Sequence, residues 1–394
     1  MKTISVPDEW AEAYNSPEFQ QFAKAWLGFD PIKPEVSQSQ SKRLRTVQDV
    51  IESLPKPGGF EQLAIPPYVG GGSSGIAFGV ASMKHHTTDE GWQIFNGLKH
   101  AGYALVGHNL PCNHTDVRRA ITSMHPGVVV MQDKREWDVS ARDFRDKEAR
   151  FIKTSSLAGQ PQIFKLTILK DSHQRPRYHA EAATEMGCHA WIIYYHPRIV
   201  CHNAPYVRPE HLIRTYHSIN LKVVPAYAPR RMNCIFSGAM SRAYPMREHI
   251  RDNLSSLPLV DYHKHPGYHR KGCETPSFLK LLNRYKVSIC TSSIYGYALR
   301  KIIESTACGC RVITDLPTDE VMPSIDGNLL RVPPGIPIPK LHRVVQDLCD
   351  TYDPATQQRY AQAAKEFYDY RRLANKLVKD IEQLRKDYRD GLNG

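Results

Sequence analysis

A chain of 394 residues is too long for one ordinary hydrophobic core and fits two domains of usual size; 41% hydrophobic and 23% charged residues exclude a disordered chain. Fifty-two Lys and Arg against 40 Asp and Glu leave a net charge of +12, which points to an anionic partner such as nucleic acid, a nucleotide or an acidic glycan. Nine cysteines at irregular spacing, with no C-x-x-C pair, argue against a disulfide framework or a zinc site and suit reduced cytosolic thiols.

The N-terminus "MKTISVPDEWAEAYNS" lacks the apolar stretch of a secretion signal, and no run approaches the ~18 apolar residues of a membrane span. A cytoplasmic protein with no membrane partner is therefore expected. Residues 1–60 read as an N-terminal extension, with a polar "SQSQSKRLR" linker leading to the breaker "SLPKPGG" and no chemistry of its own. From "GIAFGVASM" (75–83) the pattern turns to strand then helix: an apolar run, a polar turn "KHHTTDE", then "GWQIFNGLKHAGY" with apolar residues at helical spacing. "ALVGH", "DVRRAITSMH" and "GVVVMQ" continue it, followed by "QIFKLTILKD", "RYHAEAATEMG", "AWIIYYH", "EHLIRTYHS" and "LKVVPAY". Strands alternating with helices predict a parallel, doubly wound sheet.

At "APRRMN" the chain crosses into a second series: "CIFSGAM", "YPMREHIRDNLSSL", "LVDYH", "TPSFLKLLNRY", "KVSICTSS", "YALRKIIESTAC", "CRVITD" and "NLLRVP". Two Rossmann-like units result, over 61–228 and 229–352. Residues 353–394, with alternating charge and an apolar stripe, predict C-terminal helices folding back across both.

The stretch "KIIESTACGCRVITD" (301–315) is where chemistry first shows. The strand "KVSIC" delivers the chain to a small-residue loop, "TSSIYG", and then to a helix carrying Glu304. In an open α/β sheet, ligands sit at the carboxyl ends of strands, where free N–H groups suit phosphate; Ser292 and Ser293 lie in that loop. A carboxylate here can accept both hydrogen bonds of a ribose diol, an acceptor-only role. The same spacing also fits a capped amphipathic helix with a solvated glutamate. Gly309 lets the backbone turn sharply before the next strand.

"YALRKIIESTACGCRVITD", with "IFSGAMSRAYPMREHI" upstream, resembles the donor-binding half of GT-B glycosyltransferases, whose pattern is a Lys and a Glu before "A-x-G-x-x-V-I-T-D". It looks closest to the bacterial and phage branch with "YP-x-R" after the first strand of the second domain, and the likeness covers roughly 232–332. The resemblance implies two Rossmann-like domains facing a cleft and a nucleotide-sugar donor, with a UDP-sugar the first choice. It also implies that Glu304 holds the donor ribose, that Arg247 and Lys301 neutralise the diphosphate, and that Ser237 and Gly238 line its approach. Arg242 and Tyr297 complete the implied donor set. Many retaining relatives carry a second acid eight positions before the ribose Glu; here that position is Gly296, which tilts the expectation towards an inverting transfer.

An inverting transfer needs a base near the acceptor hydroxyl. Strand ends of the first unit offer His85, His86 and Asp89 in "KHHTTDEGW", Asp133 in "MQDKREWD", and Asp171 with His173 in "LKDSHQRP". Each reads equally as a polar turn or cap, and Asp89 in particular as the cap of the following helix. No D-x-D pattern sits at a strand end, and Arg and Lys can hold a diphosphate, so no metal is expected. Residues 171–231 carry eight Lys or Arg, four Asp or Glu and seven of the 18 histidines, beside Tyr178, Tyr194, Tyr195, Tyr206 and Tyr216. With "YHKHPGYHRKG" (262–272) this is an inventory for phosphates and an extruded base, and resemblance to phage enzymes suggests hydroxymethylpyrimidine DNA as acceptor. A glycan, protein or small-molecule acceptor, or a non-catalytic nucleic-acid-binding protein, are the other readings.

Overall fold

The computed structural model describes residues 43–57, 60–78, 86–106, 114–131, 157–174, 176–227, 232–265 and 274–391. After a short helix α1 (Val47–Ser53), the first series runs β1 (Gly75–Phe78), α2 (His86–His100), β2 (Ala104–Val106), α3 (His114–Met124), β3 (Val128–Met131), β4 (Phe164–Leu169), α4 (Pro176–Met186), β5 (Ala190–Ile193), α5 (Pro197–Asn203) and β6 (Leu212–Arg214). The second runs β7 (Met232–Gly238), α6 (Pro245–Arg251), β8 (Val260–Lys264), α7 (Thr275–Leu282), β9 (Tyr285–Ile289), α8 (Arg300–Ala307), β10 (Arg311–Thr314), β11 (Leu329–Arg331) and α9 (Ile338–Asp350). Helices α10 (Pro354–Tyr368) and α11 (Tyr370–Gly391) follow.

Each series makes its own wholly parallel sheet, ordered β2-β1-β3-β4-β5-β6 and β11-β10-β9-β7-β8. Every residue of β1, β3 and β5 is buried, as apolar strands must be when helices cover both faces. Counted from its own first strand, the first sheet winds 2-1-3-4-5-6 and the second 2-1-3-4-5, and in both the winding reverses between the first and third strands. A crevice opens at that reversal, outside the carboxyl ends of the strands. In the second sheet it lies between β7 and β9.

The expected crossing by the C-terminal helices is present. Helix α10 packs on α8 in the second unit, whereas α11 packs on α2 in the first. Between them Asp369 pairs with Ile219: Ile219 N donates to Tyr368 O (2.9 Å) and Tyr370 N to Ile219 O (3.2 Å). Leu377 and Ile381 of α11 are members of the first unit's core. No helix among the described residues is long and apolar enough to cross a membrane.

Residues 43–54, placed by the sequence in an extension without chemistry, are wedged between the two units. Thr46 caps α1, accepting from Asp49 N while the Asp49 side chain accepts from Thr46 N. On one side Val47 N donates to Asp319 Oδ1 (2.6 Å) and Thr318 N to Arg45 O (2.8 Å). On the other, Arg198 of α5 donates to Gln48, and His202 Nε2 lies 3.2 Å from Pro55 O. Val47 and Val50 are fully buried.

Candidate functional site

The C-terminal end of β7 lies on the crevice of the second sheet, and there the backbone of Gly238 adopts φ +138°. A Cβ at this position would stand 2.8 Å from Arg247 Nη1 and 3.0 Å from Lys301 Nζ, so only glycine lets both cations close on the strand end. Lys301 donates to Ser237 O (2.8 Å) and lies 3.3 Å from Ser237 Oγ. Arg247 donates from Nε to Thr291 Oγ1 (2.6 Å) and from Nη1 to Ala239 O (2.8 Å), and its guanidinium lies 3.5 Å from the centre of the Tyr244 ring. Burial pushes the Lys301 ammonium down to about 8, with the Arg247 guanidinium adding to the drop while Cys290 and Glu304 pull the other way. Lys301 has no ion-pair partner among the described residues. Two cations held this close can together hold an anion.

Helix α8 is held to β9 by Ser305 Oγ donating to Ser288 Oγ (2.9 Å), which sets Lys301 in its first turn and Glu304 one turn on. Glu304 is fully buried, and Arg300 Nε lies 3.0 Å from its Oε1. A ribose diol therefore reaches this carboxylate only by displacing part of that pair. The neighbouring thiols are structural: Cys308 donates to Leu279 O (3.4 Å) and Cys310 to Leu282 O (3.3 Å), tying the turn to α7.

The other predicted donor residues divide. Ser292 and Ser293 line the loop after β9 but spend their polar atoms on the protein itself: Ser292 N donates to Asp315 Oδ1, just after β10, and Ser293 Oγ accepts from Tyr295 N (3.2 Å). Asp315 is itself fully enclosed; burial raises its carboxyl while Arg45 and the Ser292 amide draw it back. Arg242 is exposed on the loop between β7 and α6. Tyr297 is placed elsewhere. It leaves the second unit and enters the first, with its ring stacked on Tyr195 at 3.7 Å and its hydroxyl 3.0 Å from His173 Nδ1, 3.1 Å from Asn203 Nδ2 and 3.2 Å from Ser172 Oγ. It is an anchor between the units, because three polar neighbours of the first unit satisfy its hydroxyl.

Gly296 explains why no second acid stands there. It takes φ +63°, and a Cβ would meet Pro317 Cγ at 3.0 Å and Val50 Cγ2 at 3.1 Å. Gly296→Ala is expected to cost about 2–3 kcal/mol, from left-handed strain and overpacking together, measurable as a lower urea midpoint at unchanged slope.

Of the three candidate bases, Asp171 is the one whose side chain lies among the described residues. It follows β4, half-buried, with Tyr195 Oη donating to its Oδ1 (3.4 Å) and Gln174 Nε2 to its Oδ2 (3.5 Å). His173 stacks on Tyr295 at 3.7 Å. Burial, then the charge of Asp171, then Tyr244, raise the Tyr295 hydroxyl to about 12. Asp133 and His85 lie outside the described residues; Asp89 and His86 belong to the first turn of α2, where side chains also lie outside the description.

The described tyrosines of the inventory for an extruded base are taken up by packing. Tyr194, Tyr195 and Tyr206 are buried in the first core, and Tyr216 packs edge-on against Phe367 and Tyr368. Arg177 is exposed and Arg208 half-buried; Arg175, the Tyr178 side chain and most of 262–272 lie outside the description. Among the described residues no group of three His, Cys, Asp or Glu is placed to hold a metal. The residue that sequence reading missed is Arg45, whose Nη2 donates to Ser292 Oγ and Asp315 O, both at 3.1 Å. Its one local signal was the capping box that follows it.

No family model matches the chain, and no curated protein matches it. Similar solved structures include a glycosyltransferase from Rickettsia africae (9% identity, 80% of this chain and 99% of that one, TM-score 0.49). A sucrose-phosphate synthase from Thermosynechococcus elongatus is 11% identical over 80% of this chain and 100% of that one, at a TM-score of 0.48. Anabaena HepE, in complex with UDP-glucose, is 13% identical over 81% and 99%, at 0.44. At these overlaps the likeness carries no argument about activity, and the fold rests on the two parallel sheets themselves.

Proposed function

We propose that this chain is a nucleotide-sugar-dependent glycosyltransferase of GT-B architecture, most simply an inverting one. The observation that carries the reading is the convergence of Arg247 and Lys301 on the glycine at the end of β7, at the winding reversal of the second sheet. The diphosphate of the donor sits on these two cations, and the ribose faces Glu304. Asp171 takes the proton of the acceptor hydroxyl as its oxygen attacks the anomeric carbon. The carbon–oxygen bond to phosphate breaks on the opposite face, and the nucleoside diphosphate leaves with the electron pair, its charge met by Arg247 and Lys301.

The acceptor is a hydroxyl compound. Hydroxymethylpyrimidine DNA keeps the net charge of +12 as support but loses the buried tyrosines, so glycan and small-molecule acceptors enter the test on equal footing.

A thermal-shift panel of nucleoside diphosphates and nucleotide sugars tests donor binding: a ligand at 100 times its Kd adds about 2.7 kcal/mol of stability. UDP-sugars are the first donors to try. Glu304→Gln, which keeps the volume of the buried side chain, is expected to weaken the nucleotide sugar by about tenfold or more while pyrophosphate binds as before. Equal donor affinity in the variant would remove Glu304 from the site. Mass spectrometry of DNA nucleosides and of glycans after incubation with donor then decides the acceptor.

A further inference from the structure

We infer that Arg45 is a positioning residue of the anion seat, acting from the N-terminal segment through the loop at residues 291–293. The inference rests on the reading of Arg247 and Lys301 as that seat. Four contacts in series carry it. Arg45 Nη2 donates to Ser292 Oγ (3.1 Å) and Asp315 O (3.1 Å), and lies 3.5 Å from Asp315 Oδ2. The Asp315 carboxylate accepts from Ser292 N, so the loop backbone and the arginine meet on one buried acid. The next residue back, Thr291, is buried, and its hydroxyl accepts from Arg247 Nε at 2.6 Å. Arg247 then flanks Gly238 beside Lys301.

The arginine is itself held in place. Its carbonyl accepts from Thr318 N (2.8 Å), Thr46 caps the helix that follows, and Val47 and Val50 anchor that helix in the interior between the two units. Val50 also covers Gly296, at the far end of the same loop. The loop is therefore clamped at both ends by one short stretch of chain some 250 residues away in sequence. A guanidinium suits this position because its fork reaches a hydroxyl, a carbonyl and a carboxylate at once, which an ammonium does with fewer bonds. Without it the Asp315 charge stays buried with one cation fewer, the loop relaxes, and the Thr291 hydroxyl that accepts from Arg247 Nε is no longer fixed.

The test uses the full chain and two probes, uridine diphosphate and inorganic pyrophosphate, titrated by calorimetry. Arg45→Ala is expected to raise both Kd values by about ten- to a hundredfold, since small misplacements of a charged group are costly, and Arg45→Lys to recover most of the loss. Melting temperatures of the two variants are read in parallel. A residue that only stabilises the fold lowers the melting temperature and leaves the Kd of the folded fraction at the wild-type value. Thr291→Val removes the hydroxyl further along the same series at nearly constant volume, and carries the test if Arg45→Ala does not fold; the same rise in Kd is expected. If Arg45→Ala or Thr291→Val binds pyrophosphate like wild type while Lys301→Ala does not, the inference fails and the anion seat stands. If Lys301→Ala also binds like wild type, or the wild-type chain binds neither probe, both fail.

Discussion

Asp171→Asn is expected to lower sugar transfer by at least about 100-fold while the Kd for the nucleotide sugar and the melting temperature stay near wild type. The amide keeps the shape and one of the two acceptor oxygens but cannot take the proton of an attacking hydroxyl. The measurement is release of nucleoside diphosphate with and without acceptor, at saturating donor, so that a binding defect and a chemical one separate as KM against kcat. Tyr195 Oη and Gln174 Nε2 reach Asp171 at 3.4 and 3.5 Å. Asp89→Asn and Asp133→Asn belong in the same assay. Full activity in Asp171→Asn with loss in either of the others would move the base to that residue.

The second large effect is a pH dependence with opposite signs in the free and the bound protein. Lys301 is depressed to about 8 from its ordinary 10.5, by burial first and by Arg247 second. A phosphate anion favours the charged amine, so binding takes up a proton above pH 8. The Kd of a nucleoside diphosphate is expected to be flat below that pH and then to rise towards about tenfold per unit. For the empty protein the sign reverses. Between about 8 and 10.5 the unfolded chain binds more protons at this lysine than the folded one, so the contribution to stability grows with pH through that window and is lost as pH falls through 8. Calorimetry in two buffers of different ionisation heat reads the proton uptake directly. Lys301→Arg should flatten both profiles, since a guanidinium stays charged throughout.

Much of this site was legible as strand–loop–helix grammar. Alternating apolar strands and helices put Gly238 and the 291–293 loop at strand ends and Lys301 in the first turn of the next helix, and topology then gathers them at the point where the winding reverses. Where sequence reading stopped, tertiary packing decided. Tyr297 sits in "YGYAL", a local context that looks like any loop; only the first unit's His173, Asn203 and Ser172 tell its hydroxyl where to go. Tyr194, Tyr195 and Tyr206 counted as a stacking surface because composition does not separate an aromatic in the core from one in a groove. Arg45 lies in a polar run whose hydrophobic content, Val47 and Val50, is too short to announce a packed element.

The chain does not fold as two beads in sequence. The core of the first unit holds Val47 and Val50 from the start of the described chain, Tyr297 from the middle of the second unit, and Leu377 and Ile381 from the last helix. During synthesis, the first unit leaves the ribosome lacking pieces of its own interior, and the last of them arrives only after the second unit has been made. Until then apolar surface on α2 and β6 faces water, which is where a chaperone or a neighbouring nascent chain finds purchase. Chains cut before residue 369 therefore carry an unfinished first unit as well as a shortened tail, and the two halves expressed apart yield soluble protein only when the last helix travels with the first.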